Sequence, residues 1–128
     1  MKKPKAAFFC NRPDLADRVF PESRIARLKE LADVHPVMID KKNFEEQLPA
    51  LTDCEYIFST WGMLILKAEQ IQKLPSLKMV LYGAGTVKYF AEPFLQQDIR
   101  IVSAWAANAV PVAEFTVAQM TLAAKGYF

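Results

Sequence analysis

Residues 77–114, LKMVLYGAGTVKYFAEPFLQQDIRIVSAWAANAVPVAE, contain two short apolar runs that each stop at a turn. Lys78 to Tyr82 ends abruptly at Gly83-Ala84-Gly85, and Arg100 to Ser103 ends at Ala104 to Asn108. A short helix separates them, so the stretch reads as strand, glycine turn, helix, strand, polar loop and helix start. Two strands joined through a helix run parallel, because a parallel pair needs a crossover. Both turns then open at the same edge of one sheet, beyond the carboxyl ends of the strands, where ligands of open α/β sheets bind.

Glycine in the first turn allows close approach of the backbone to a ligand and conformations closed to other residues. Consecutive amide N–H groups in such a turn can hold an anion. An ordinary strand-to-helix turn would also take glycines here. The turn is not a dinucleotide fingerprint: a G-x-G-x-x-G beginning at Gly83 needs glycine where Lys88 stands, and the chain has only four glycines. In the second turn, Asn108 is expected to cap a helix with Pro111 in its first turn. Its side-chain amide is also free to face a ligand at the glycine turn.

The preceding chain supplies the rest of the sheet. Lys5 to Cys10 reads as the first strand, stopped by Asn11-Arg12-Pro13. Asp14 to Phe20 reads as a helical turn. Pro21-Glu22 opens a clearer helix whose Ile25, Leu28, Leu31 and Ala32 form one buried face. His35-Pro36 ends it, and Val37-Met38-Ile39 is expected as the second strand. A helix capped by Asn43 and interrupted by Pro49 leads to the third strand, Tyr56 to Ser59. Trp61, on the loop after that strand, is expected to wall a pocket beside the glycine turn. Leu66 to Leu74 is expected as the next helix. The fold class is therefore α/β, a flavodoxin-like three-layer sandwich with a five-stranded parallel sheet in the order 2-1-3-4-5 and helices on both faces.

Composition narrows the function classes. With 52% hydrophobic and 23% charged residues, the 128-residue chain reads as a folded domain. Its net charge of +2 is dispersed, which does not indicate a nucleic-acid partner. No run approaches the roughly 20 apolar residues that span a membrane. The basic start with the short apolar Ala6 to Cys10 fits a cytoplasmic protein entering its first strand rather than a signal peptide. Cys10 and Cys54 lack metal-binding spacing and are expected as thiols. His35, the single histidine, is expected on the surface at the amino edge, away from the site. A phosphoacceptor receiver would need acidic residues after the first strand, where Cys10-Asn11 stand, and a flavodoxin would need a hydroxyl-rich loop there.

The motif YGAG, followed after a helix and a strand by Asn108, Ala109, Val112, Ala113 and Glu114 in the pattern N-A-x-x-V-A-E, resembles the NAD-dependent D-isomer-specific 2-hydroxyacid dehydrogenases. The resemblance spans essentially the whole chain, as the first part of such an enzyme. It implies hydride transfer between NAD or NADP and a small 2-hydroxy or 2-oxo acid. The turn of Gly83, with the amides of Ala84 and Gly85, would hold the substrate carboxylate. Asn108 and Trp61 would shape the substrate pocket, and Val112 would line the nicotinamide side. The family's cofactor fingerprint and its catalytic arginine, glutamate and histidine fall after Phe128, so this chain by itself is expected to be inactive and to bind no dinucleotide. Members often follow the glycine turn with a D-x-[IV]-D-like segment, whereas Thr86 to Phe90 read TVKYF here.

Residues 1–108 are accordingly expected to form the substrate-binding portion, and 109–126 a bridging helix toward a nucleotide-binding domain. That helix is apolar around most of its circumference, so a second surface should cover it: the nucleotide-binding domain, or another copy in a dimer or other homo-oligomer. A competing reading keeps the fold without the enzyme, as a domain that binds a small carboxylate or a partner chain through its last helix.

Overall fold

The computed structural model describes residues 2–128. Five strands form one parallel sheet: β1 (Lys5–Phe8), β2 (Asp33–Val34), β3 (Tyr56–Ser59), β4 (Met79–Tyr82) and β5 (Arg100–Ser103). Their order is β2-β1-β3-β4-β5, as expected of a flavodoxin-like α/β fold. The helices are α1 (Pro13–Val19), α2 (Glu22–Leu31), α3 (Phe44–Leu51), α4 (Ala68–Ile71), α5 (Glu92–Leu95) and α6 (Trp105–Ala124).

Side chains alternate across each strand, and in β3, β4 and β5 burial alternates with them, whereas β1 buries Ala6, Ala7 and Phe8 alike. Ile57 and Val80 are fully buried while their neighbours Tyr56, Phe58, Met79 and Leu81 are half-buried. The buried set joins Phe9, Phe44, Leu48, Ile71, Leu74, Phe90 and Phe94 in one core under α3, α4 and α5. On the other face, Phe20 at the end of α1 packs edge-on against Phe8, with ring centroids 5.0 Å apart, and reaches Phe58.

Four local expectations are corrected. The second strand is Asp33–Val34, not Val37 to Ile39; Ile39 makes only an isolated bridge with Phe9. Strand β1 recruits the backbone just after α2, pairing Lys5 with Asp33, so His35 follows its strand. It is half-buried, with Nε2 3.1 Å from Gln47 Oε1, rather than free on the surface. Helix α2 buries none of its residues, and Leu31 is 73% exposed, because the helix touches chiefly the two-residue edge strand β2. The helix expected over Leu66 to Leu74 shortens to α4, although Ile71 and Leu74 enter the core.

The last helix also begins earlier than Asn108. Ala104 occupies the cap position, and Asn108, the fourth helical residue, donates its backbone N–H to Ala104 O at 2.9 Å. Trp105-Ala106-Ala107 winds into the helix because alanine favours it. Pro111 consequently lies inside α6 rather than in its first turn. No residue of α6 is buried, in agreement with its all-round apolar sequence lacking a cover in this chain. Among the described residues, no helix is long and apolar enough to cross a membrane.

Candidate functional site

Strands β4 and β5 end in register, Tyr82 opposite Ser103, which sets the turn after β4 beside the start of α6. Gly83 extends the β3–β4 ladder by donating its N–H to Ser59 O at 2.8 Å. Neither Gly83 nor Gly85 has a positive φ, so the conformational freedom expected of them is not what they use. Their need is space. A Cβ on Gly83 would lie 2.9 Å from Val19 Cγ1, and one on Gly85 would lie 2.9 Å from Asn108 Nδ2. The structure thus brings Gly85 and the Asn108 amide into contact across 23 residues of chain, the separation of their positions.

The carbonyls of the turn are held from below. Ser103 Oγ shares its one proton between Gly85 O at 2.5 Å and Ala84 O at 3.0 Å, and Thr60 Oγ1 donates more distantly to Gly83 O at 3.5 Å. Among the described residues, no protein acceptor takes the amides of Ala84, Gly85 or Thr86. These three differ in access. Ala84 has no accessible surface, Gly85 is half-buried and Thr86 is exposed. A ligand arriving from solvent therefore meets Gly85 and Thr86 before it could meet Ala84. Sequence reasoning missed Ser103, Thr60 and Thr86, whose parts follow from contacts between distant segments.

The other expected residues stand farther along the same edge. Trp61 is 45% exposed, and the contacts of its loop run to the segment after β1: its carbonyl accepts from Cys10 Sγ at 3.2 Å, and Gly62 O accepts from Asn11 N–H at 2.8 Å. Val112 lies one turn beyond Asn108 on α6, 59% exposed. Below the turn, Tyr82 OH and Tyr89 OH are 3.0 Å apart, and both rings pack on Phe90. Burial, then the bond to Tyr89, raises the Tyr82 phenol above its ordinary range. Burial likewise raises the Cys10 thiol, so it is no ready nucleophile. Both cysteines are free.

Two ion pairs stand at the opposite edge. Lys5 and Asp53 pair at 2.7 Å, and Lys78 pairs with Glu55. Their hydrogen bonds raise both lysines and lower both carboxyls. The turn after β4 itself offers neutral donors, backbone amides and a carboxamide, while the Arg12–Asp14 ion pair, 2.8 Å, stands farther along the site edge, after β1. Such donors suit a single small anion, whose charge they stabilise without an opposing ion. The chain matches no protein-family model, and no match is found among curated proteins.

Proposed function

We propose that this chain is the substrate-binding portion of an NAD(P)-dependent 2-hydroxyacid dehydrogenase, binding the carboxylate of a small 2-hydroxy or 2-oxo acid at the turn after β4. The observation that carries the reading is the contact of Asn108 Nδ2 with Gly85, which joins the two halves of the motif at one point. The turn supplies amide donors, and Asn108 supplies a carboxamide that can donate to the carboxylate or to the oxygen on C2.

The residues present do not fit a dinucleotide. Lys88 stands where a third glycine would be needed, and Val112 is an exposed aliphatic side chain on α6. The reading therefore gives this chain recognition and orientation of the acid. Cofactor binding and the hydride-transfer chemistry it supplies are assigned to a separate nucleotide-binding domain.

The test is a titration of the 15N-labelled chain with pyruvate, followed by amide NMR. The Gly85 backbone amide and the Asn108 side-chain amide should shift saturably, and Asn108→Ala should weaken binding about ten-fold. Still resonances at both positions would overturn the reading, and tight saturable binding of NAD in a calorimeter would overturn the assignment of the cofactor. The bare surface of α6 favours a second reading, a domain that docks a partner chain through this helix.

A further inference from the structure

We propose that Ser103 is a positioning residue of the carboxylate site, and that the Thr86 amide, rather than that of Ala84, is the partner of the Gly85 amide in holding the acid. The proposal rests on the carboxylate reading of the turn and concerns how that turn is kept competent.

In a trans peptide the carbonyl of one residue and the N–H of the next point in opposite directions. None of the described peptide bonds is cis. The Ser103 hydroxyl shares its one proton between two carbonyls, chiefly Gly85 O at 2.5 Å and secondarily Ala84 O at 3.0 Å. The main hold, on Gly85 O, turns the Thr86 N–H away from Ser103, and the weaker share on Ala84 O does the same for the Gly85 N–H. The two amides so directed belong to residues that reach the surface, Gly85 half-buried and Thr86 exposed, and neither has a protein acceptor, whereas Ala84 has no accessible surface at all.

This arrangement needs a restraint. Gly85 lacks a Cβ, so the peptide planes on either side of it rotate more easily than elsewhere. A rotated peptide would present a carbonyl oxygen to the anion in place of a donor. Thr60, at 3.5 Å from Gly83 O, holds the turn only weakly and one peptide too early. Ser103 is fixed by β5, whose register with β4 sets it opposite Tyr82. A rigid strand thus supports a flexible turn.

The test compares the wild-type chain with Ser103→Ala and Ser103→Thr, using pyruvate and amide NMR, with melting temperature measured alongside. In the wild type, Gly85 and Thr86 should shift most, with Ala84 moving less. Ser103→Ala should bind about ten-fold more weakly at a similar melting temperature, and Ser103→Thr, which keeps the hydroxyl, should restore binding. Equal affinity in Ser103→Ala, or a folded Ser103→Thr that binds no better than the alanine variant, would overturn the role of Ser103. A still Thr86 amide in the wild type would overturn the donor assignment, even if the alanine variant failed to fold. Absence of any wild-type titration would instead bring down the carboxylate reading beneath it.

Discussion

The two faces of the sheet are built from the same strands yet finished to different degrees. On one, Ala7, Phe9, Ile57 and Val80 have no accessible surface and lie under α3, α4 and α5. On the other, only Ala6 and Phe8 of β1, with Phe8 packed on Phe20, are buried; Tyr56, Phe58, Met79 and Leu81 stay half-buried, and Val102 at the edge is 50% exposed. Helix α2, beyond β2, buries nothing. Burial of apolar area is the main favourable term in folding, so the closed face carries most of the stability. The open face is a surface of moderate apolar character that a further element could cover.

The largest break in this comparison would come from a core aromatic. Phe94→Ala, at a fully buried site, should cost about 3–5 kcal/mol in urea unfolding. A loss below about 1 kcal/mol would show that the closed face is not the stabilising one. Cys54 sharpens the point by pH, because burial in the same core raises its thiol to about 11. The unfolded chain releases that proton near pH 9, the ordinary value. The folded state therefore binds more protons between the two values, and stability should fall across pH 9–11, on the order of 2–3 kcal/mol at full titration. Cys54→Ser should flatten that fall in denaturant titrations at each pH; an unchanged slope would remove Cys54 as its source. The smallest effect belongs to the open face. Leu81→Ala should cost about 1 kcal/mol or less by the same unfolding assay, and a loss as large as that at Phe94 would mean the two faces are equally closed.

The closed face was legible in the sequence because its strands are continuous apolar runs ended by strong breakers, such as Gly83 after Tyr82 and Asn11-Arg12-Pro13 after Cys10. The edge strand was not. Asp33-Val34 pairs with β1 through backbone groups that any sequence supplies, while the more strand-like Val37 to Ile39 manages one bridge. Asn108 shows a similar limit: its capping preference is overridden by a helix-favouring Trp-Ala-Ala segment ahead of it. The motif singled out Gly85 and Asn108 from the sequence, and the fold brings the two together, which their separation along the chain does not show. Ser103 carries no local signal, since a serine ending a strand is common and its importance lies in where β5 sets it.

Helix α6 has a mechanical consequence. At about 1.5 Å per residue, its 20 residues extend roughly 30 Å from the root at Trp105. A tilt of about 10° at that root sweeps the far end through about 5 Å, but Asn108, less than one turn along, moves by only about 1 Å. The helix is a lever with the site beside its fulcrum. Large excursions of the helix's far end near Ala124 can be accommodated while Asn108 stays seated on Gly85.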